Sequence, residues 1–396
     1  MTPPHRTGDP EHAREINRAL VLNAFRSRQK TSRAELVRHL DLSKVTVSSV
    51  VNALVREHLL VERGEGASQS SGGRKPIMLS LDAERRRVVG IDIGATTING
   101  ALSDLGGNVI ARCHRATPGS RGVRGVVSCV RSIVEEVRKR GGVERGSILG
   151  VGVSAAGIVE SSSGTVRFSP DFNWKHVPLG ELIGNAVDLS VVVDNCTRAM
   201  ALGEQWFGNA RGLRNAFYVN VGYGVGSAVI FNNQVYDNHS EFGHLFVTRS
   251  GVKCYCGKTG CLEAVSSGHA IERRANQALK QRRGERITAR ELAQRASSGD
   301  REARAIFDAA GKYLGRAIAM VANLLNPGRI IIGGGVSLAG STLLDPVRSE
   351  FEMHTMDVIR AGTVVETSAL GMNAALFGAV SLALNCFVFH PEHLHG

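Results

Sequence analysis

The spacing of apolar residues near the start of the chain predicts three helices. Five of them recur at helical spacing and predict a first helix over residues 14–28: Ile16, Leu20, Val21, Ala24 and Phe25. Ser32 and Glu35 have the spacing of a capping box and predict a second, short helix that ends near His39. Ser43 then caps a third helix, whose apolar stripe consists of Val47, Val50, Val51, Leu54 and Val55.

The other face of the third helix is made of small polar and basic side chains: Lys44, Thr46, Ser48, Ser49 and Asn52. Two short helices joined by a tight turn, the second apolar on one side and polar on the other, are typical of insertion into the DNA major groove. We expect Lys44 to contact phosphate and Thr46 and Ser49 to contact base edges, with Ser48 on the same DNA-binding face.

The residues after the third helix predict a wing. Residues 59–62 and 77–81 have the pattern of two strands, and the glycine-rich loop 63–76 between them contains Arg74 and Lys75, which we expect to contact phosphates or the minor groove. Residues 14–82 are therefore predicted to form a winged helix-turn-helix that binds DNA, behind a disordered segment 1–13. The alternative is a winged helix that docks on a protein and does not touch DNA.

The remainder of the chain has an α/β pattern that occurs twice. The segments VVGIDIGATTINGALSDLGGNVI and FYVNVGYGVGSAVIFNNQV each contain a strand, a glycine turn and a second strand. We predict a duplicated fold with lobes at 87–195 and 196–385, followed by a solvent-exposed tail, 386–396. Glycine turns of this kind can hold phosphate, although plain turns have the same composition. A third glycine-rich turn follows the apolar run at Ile330–Ile332.

One histidine and three cysteines lie close together in the second half: His244, Cys254, Cys256 and Cys261. An imidazole and three thiolates form a complete tetrahedral set for structural Zn²⁺, and we expect one zinc per chain, held in the loop 241–263. Disulfides would leave one of the three cysteines unpaired. Cys113, Cys129 and Cys386 are scattered along the chain and have the pattern of ordinary thiols.

Charge and composition narrow the class of protein further. The chain has a net charge of +12, and residues 1–87 contain 16 Lys+Arg against 10 Asp+Glu. This excess favours a nucleic-acid partner for the N-terminal part, although basic residues can also simply solvate a surface. The N-terminus lacks the apolar core of a secretory signal, and no apolar run approaches the roughly 18 residues of a membrane span. We therefore expect a cytoplasmic protein without a membrane partner.

The block H-x(9)-C-x-C-G-x(2)-G-C-L-E, together with the three glycine turns, resembles the ROK family of repressors and sugar kinases. With a winged helix in front, the chain is similar to the transcriptional-regulator branch, of NagC and XylR type. The resemblance implies an actin-like, sugar-kinase-like (RNase H-like) fold of two lobes. It also implies a sugar bound in the interlobe cleft, a structural zinc beneath the sugar, and a homodimer or higher oligomer built through the C-terminal part.

The resemblance assigns sugar contacts to residues of both lobes: Asn173, Asn195, Glu241, His244 and Glu263. Carboxylates and amides can pair with neighbouring sugar hydroxyls, and a histidine can ligate zinc through one nitrogen and face the sugar with the other. For the two asparagines, a role in turn formation is the alternative.

The sequence departs from the kinase pattern at several positions. Cys196 stands where family kinases have the aspartate that serves as general base, and Tyr223 replaces a threonine in the second phosphate turn. Ser154 and Ala156 stand where kinases tend to have Gly and Pro. Asp194 is the remaining candidate base, but strand alternation predicts that it points to the opposite face.

We therefore expect a protein that is not an enzyme and whose sugar-binding domain descends from a kinase, although the first phosphate turn keeps Asp92, Gly94 and Thr96. The expected function is that of a sugar-responsive, DNA-binding repressor of carbohydrate uptake or catabolism genes. The alternative is a ROK-type sugar kinase with an appended DNA-binding domain. A third hypothesis is an interaction protein that docks on a transport or signalling partner through its basic N-terminal domain.

Overall fold

The computed structural model describes residues 10–27, 30–65, 75–237, 240–283 and 286–390. They form two compact units. The first contains the described residues up to Asn195 together with those from Ala379 onward, and the second contains Cys196–Gly378. Each unit contains one five-stranded β-sheet, and the first unit also contains two three-stranded sheets.

The N-terminal part of the first unit consists of three helices and a small sheet: α1 (Pro10–Ser27), β1 (Thr31–Ser32), α2 (Arg33–Leu40), α3 (Lys44–Arg56), β2 (Leu60–Glu65) and β3 (Ile77–Leu81). The predicted capping box is present, since the Ser32 side chain accepts the Glu35 amide and the Glu35 carboxylate accepts the Ser32 amide. Ser43 caps α3 by accepting the Thr46 amide. These local signals confirm the helix starts that the sequence predicts.

The first helix begins earlier than the sequence indicates. We expected disorder through residue 13, but α1 starts at Pro10, because proline's fixed φ suits the first helical position. Residues 1–9 of the predicted disordered segment lie outside the described residues. Val21, Leu22 and Phe25 are buried on the inner face of α1.

The two strands of the predicted wing pair in an antiparallel hairpin, with Leu60 opposite Leu81 and Glu65 opposite Ile77. Strand β2 extends to Glu65, beyond the predicted end at residue 62. Lys75 lies at the base of the loop, where its Nζ is 3.6 Å from Glu65 Oε2. Arg74 lies outside the described residues.

The first lobe contains a five-stranded sheet, a three-stranded sheet and two helices: β4 (Arg87–Ile93), β5 (Thr97–Asp104), β6 (Val109–Ala116), α4 (Val123–Arg140), β7 (Ile148–Ala155), β8 (Ile158–Glu160), β9 (Thr165–Ser169), β10 (Trp174–Val177), α5 (Leu179–Val187) and β11 (Val191–Asn195). The larger sheet has the order β11-β7-β4-β5-β6, with β4 antiparallel to β5 and parallel to β7. Val130, Ile133 and Val137 of α4 are buried in its core.

The second unit repeats this plan: α6 (Cys196–Phe207), β12 (Ala216–Val221), β13 (Val225–Phe231), β14 (Gln234–Val235), α7 (Glu263–Ser266), α8 (Gly268–Arg283), α9 (Ala289–Ser297), α10 (Arg301–Leu325), β15 (Arg329–Gly333), α11 (Ser341–His354), α12 (Asp357–Gly362) and β16 (Val364–Thr367). Helix α13 (Ala374–Leu384) begins in the second unit and continues into the first at Ala379. Its sheet has the order β14-β13-β12-β15-β16, again with an antiparallel hairpin beside parallel strands. The repeated plan confirms the predicted α/β fold.

The end of the chain differs from the prediction. We expected a solvent-exposed tail from Cys386, but Asn385–Phe389 form a π-helical turn in which Cys386, Val388 and Phe389 are buried. The apolar residues around position 387 pack on the first sheet, and Gly150 of β7 leaves the space that the Phe387 ring occupies. Residues 391–396 of the predicted tail lie outside the described residues.

The segment Gly371–Phe389 is long and apolar enough to span a membrane by length and composition. However, 72% of its most apolar window is buried inside the protein. Gly90 and Gly152 explain how the segment packs so closely, because a Cβ on either would lie 2.6 Å or less from the backbone of Ala379 or Val380. Burial of this kind is that of a core helix.

Candidate functional site

The four predicted metal ligands converge in the second unit. One ligand atom from each of His244, Cys254, Cys256 and Cys261 lies within 4.8 Å of the other three. His244 Nδ1 is 3.6 Å from Cys254 Sγ, and Cys256 Sγ is 3.7 Å from Cys261 Sγ. Sulfurs on a tetrahedral Zn²⁺ with bonds near 2.3 Å lie roughly 3.8 Å apart, so the cluster fits structural zinc in both donor type and spacing.

The loop that contains these ligands is folded by its own backbone. Isolated bridges join Phe246 to Cys261 and Lys253 to Thr259, and the Cys254 amide donates to the Lys258 carbonyl. Gly260 has a φ of +79°, and a Cβ there would lie 2.2 Å from the Thr248 carbonyl oxygen. The backbone therefore positions the ligands, and the glycine is required by the close approach of Thr248.

The thiols differ in acidity. Burial raises the pKa of Cys254 to about 12 and also raises the pKa of Cys261. A hydrogen bond from the Lys258 backbone amide lowers the pKa of Cys256, which is exposed. Bound zinc supplies the positive charge that stabilises such thiolates.

The second ring nitrogen of His244 points away from the cysteines. Its Nε2 lies 3.3 Å from the Tyr255 hydroxyl and 3.7 Å from Glu241 Oε2. The Tyr255 ring meets the imidazole edge-on, at an interplanar angle of 71°. The imidazole thus presents one nitrogen to the predicted zinc ligands and the other to polar oxygens.

Glu263 connects the metal loop to the turn between β12 and β13. Its Oε2 accepts the Val225 amide at 2.9 Å, and its Oε1 lies 4.0 Å from Cys254 Sγ. The amides of Gly268 and His269 donate to the carbonyl oxygens of Gly222 and Tyr223. The end of the metal loop and the segment that follows it therefore hold the second predicted phosphate turn at three points.

Tyr223 is exposed at the tip of this second turn. Its ring lies 5.1 Å from the ring of His269, with an interplanar angle of 45°. A large ring therefore stands at the position where the kinase pattern has a threonine.

The predicted sugar contacts of the first unit lie at the ends of strands and turns. Asn173 is exposed and has a φ of +53°, the left-handed conformation of a turn residue. Asn195 ends β11, and its Nδ2 donates to the Gly157 carbonyl at 2.8 Å. Asp194 is buried and accepts the Ser161 hydroxyl at 3.0 Å. Cys196 begins α6, with its Sγ 4.0 Å from Thr197 Oγ1.

Asp92 of the first phosphate turn lies half-buried in strand β4. It lies opposite Asn99 and Ser154 in the register, and both side chains donate to its carboxylate, at 3.2 and 3.3 Å. Burial raises the pKa of Asp92 to about 6, against the opposing effect of the two hydrogen bonds. Ser154, one of the departures from the kinase pattern, thus has a partner in this turn.

The ROK family model matches residues 88–386, which include the metal loop and both phosphate turns. The chain belongs to the ROK family. The xylose repressor of Caldicellulosiruptor bescii is 30% identical over 394 residues, which cover 96% of this chain and 98% of that protein. A solved structure described as a ROK family transcriptional regulator, homolog of the E. coli MLC protein, has a TM-score of 0.84 at 26% identity. The superposition covers 97% of this chain and 100% of the regulator's chain.

Kinases of the ROK family match a shorter part of the chain. The glucokinase of Streptomyces griseus, solved with glucose and AMPPNP, has a TM-score of 0.68 at 31% identity and covers 76% of this chain and 99% of that one. The N-terminal region of helices and small sheet is thus shared with ROK transcriptional regulators and absent from the ROK glucokinases.

The predicted DNA-contacting face lies on α3 in this N-terminal region. Val47, Val51 and Leu54 are buried, while Lys44 and Ser49 are exposed and Ser48 is half-buried. Thr46 Oγ1 lies 2.8 Å from Ser43 Oγ, so its hydroxyl also takes part in the helix cap. The assignment of these side chains to phosphates and bases remains a prediction.

Sequence reasoning missed Tyr255 and the Val225 amide, which contact His244 and Glu263. The C-x-C spacing places an aromatic residue between two metal ligands, and that position was a usable signal for Tyr255. The bond between Glu263 and Val225 joins residues that are 38 positions apart. No local pattern in the sequence marks it.

Proposed function

We propose that this protein is a sugar-responsive repressor that binds operator DNA through its N-terminal winged helix. The observation that supports this most directly is the match to xylose repressors over 96% of the chain, including the region that ROK glucokinases lack. The cap and polar face of α3 support DNA binding, because residues in the first turns of such a helix reach base edges. The repressed genes in this proposal are genes of sugar uptake or catabolism.

The effector in this proposal is a sugar held by Glu241, His244 and Glu263 of the second unit. Sugar contact by Asn173 and Asn195 stays a prediction of the family resemblance. His244 Nε2 and the Glu241 carboxylate lie on the side of the imidazole that faces away from the thiols, where hydroxyl groups can pair with both. D-Xylose is the first candidate, since full-length relatives are named xylose repressors.

Zinc in this proposal is structural. His244, Cys254, Cys256 and Cys261 would hold it, and the ion would fix the thiolates and the imidazole in one arrangement. The residues of the chain then orient the effector. His244 presents Nε2, and Glu263 keeps the metal loop attached to Val225.

We propose that the protein does not phosphorylate the sugar. Cys196 lacks a carboxylate to accept the hydroxyl proton, and Asp194 is engaged with Ser161. Tyr223 places an aromatic ring in the second phosphate turn. A ROK sugar kinase with an added DNA-binding domain is the competing function, which the retained Asp92 turn favours.

A homodimer is part of the proposal, because an operator of two half-sites needs two winged helices. The second unit has an apolar patch, 56–80% exposed, at one end of α10, α11 and α12: Met320, Leu324, Met353, Met356 and Val358. Asn323 holds the patch together by donating to the His354 carbonyl and accepting the Met356 amide. Patches of this kind mark association surfaces, and the proposed occupant is a second copy of the chain.

A thermal-shift screen of the full, zinc-loaded chain tests the sugar site and a coupled ATP assay tests the enzyme alternative. A sugar at 100 times its Kd should raise the stability by about 2.7 kcal/mol. We expect D-xylose or a related sugar to raise the melting temperature, with no ATP turnover above background. Turnover on the same sugar that survives Cys196→Ala would contradict the proposal and support the kinase.

A further inference from the structure

The most exposed apolar side chain of the predicted DNA-contacting helix is Val45, at 79% exposure. It lies in the first turn of α3, two residues after the cap Ser43. At about 100° per residue, Val45 lies about 180° around the helix from Leu54, which is fully buried. Val45 is therefore at the centre of the face that points away from the core.

Ser49 and Asn52 follow Val45 at i+4 and i+7, so the three form one line along the helix. Asn52 Oδ1 accepts a hydrogen bond from Arg33, which also pairs with Glu62. Within the part of the chain that the structure describes, Ser49 has no side-chain hydrogen bond. Along this line, Asn52 is held in place by its hydrogen bond to Arg33. The exposed side chains of Val45 and Ser49 are left to contact a binding partner.

We infer that Val45 contacts the C5-methyl group of a thymine in each half-site of the operator. The inference rests on the proposed DNA-binding function and identifies the base that the helix recognises. In the major groove, the methyl of thymine is the apolar group by which base pairs are distinguished, and the first turn of a recognition helix reaches base edges. An isopropyl group cannot hydrogen-bond to the other base edges.

The experiment begins with a selection. Full-length protein recovers bound duplexes from a randomised DNA library, and the recovered half-site is synthesised with deoxyuridine in place of each thymine in turn. Deoxyuridine removes only the methyl group, so base pairing and hydrogen-bond groups are unchanged. Fluorescence anisotropy gives the Kd for each duplex.

We expect replacement of one thymine in each half-site to raise the wild-type Kd about fourfold, as expected for one methyl group removed from an apolar contact. Val45→Ala should raise the Kd for the unmodified duplex by a similar factor and should show no further loss at that thymine. Val45→Thr keeps the size of the side chain and one of its methyl groups, so its Kd should lie between those of wild type and Val45→Ala. Ile110→Ala, at an exposed apolar residue of β6, should behave as wild type at every thymine.

A deoxyuridine penalty that is the same in wild type and Val45→Ala at every position would overturn the inference, as would the absence of any penalty in the wild type. In both cases the selected duplexes still bind, so the proposed function stands. Circular dichroism melting of Val45→Ala separates a lost contact from a lost fold. Recovery of no duplex at all would instead contradict the proposed function, and the inference with it.

Discussion

Glu263 Oε2 accepts the backbone amide of Val225 at 2.9 Å, which ties the metal loop to the turn between β12 and β13. The same carboxylate is also a predicted sugar contact, and substitution can separate that predicted role from the bond to Val225. Gly224 has no side chain at this point, and a Cβ there would lie 2.6 Å from Glu263 Oε2. The bond therefore requires both the carboxylate and the glycine.

Glu263→Ala should lower the free energy of unfolding by about 1–3 kcal/mol, because the Val225 amide loses its acceptor. Glu263→Gln keeps an oxygen for that amide and should stay close to wild type in stability. Both variants should bind sugar more weakly, since the carboxylate is gone. Chemical denaturation and thermal shift with sugar measure the two effects. A Gln variant with unchanged sugar affinity would remove Glu263 from the predicted site.

Elemental analysis of the purified chain should give about one zinc per chain. Cys254→Ala and His244→Ala should lose the metal, because each removes one of four ligands, and the loop should become more sensitive to proteolysis. Cys129→Ala is the matched control and should keep the full zinc content, since Cys129 lies on α4 outside the cluster. Zinc that persists in Cys254→Ala would contradict the ligand assignment.

The half-buried carboxyl group of Asp92 makes the free energy of unfolding depend on pH. Its pKa in the folded state is about 6, above its usual value of 3.8, so the folded protein binds the proton more tightly than the unfolded chain. The resulting stabilisation is complete below pH 3.8 and is lost as the pH rises through 6. Asp92→Asn removes this dependence, so its stability relative to wild type should rise between pH 4 and pH 7, by up to roughly 3 kcal/mol.

Urea denaturation of wild type and Asp92→Asn at several pH values measures this difference. Asp357→Asn, at an exposed carboxylate that pairs with Arg360 on the surface, is the control and should change little. A difference between wild type and Asp92→Asn that stays constant from pH 4 to pH 7 would show that Asp92 titrates normally.

The apolar patch of the second unit predicts the association state. Leu324→Glu combined with Val358→Glu places two charges in the patch and should convert the proposed homodimer to a monomer with an intact fold. Ile110→Glu, at an exposed apolar position on β6 outside the patch, should leave the mass unchanged. Sedimentation velocity measures all three proteins. A double variant with the wild-type mass would place the dimer interface elsewhere.

Those parts of the fold that depend on neighbouring residues were predictable from the sequence. The Ser32–Glu35 capping box, the Ser43 cap and the metal-ligand spacing each act within a short segment, and the structure shows both caps and brings the four ligands together. The repeated glycine hairpins likewise indicated the duplicated α/β plan.

Features that depend on distant packing were not predictable in this way. The segment around Cys386 is too short to show a period, and its burial depends on the space that Gly150 of β7 leaves for Phe387. The start of α1 at Pro10 lies in a polar stretch without an apolar stripe. The polarity of the outer face of α3 does not mark Val45, whereas its position opposite Leu54 follows from helix geometry.

The most direct test of the account is the affinity of the full, zinc-loaded chain for its selected duplex with and without a sugar that raises its melting temperature. We predict that saturating sugar changes the Kd at least about fivefold, within the usual range of coupling between two sites. Glu263→Gln should need a higher sugar concentration for the same change. A sugar that binds tightly yet leaves the Kd for DNA unchanged would contradict the claim that this protein is a sugar-responsive regulator.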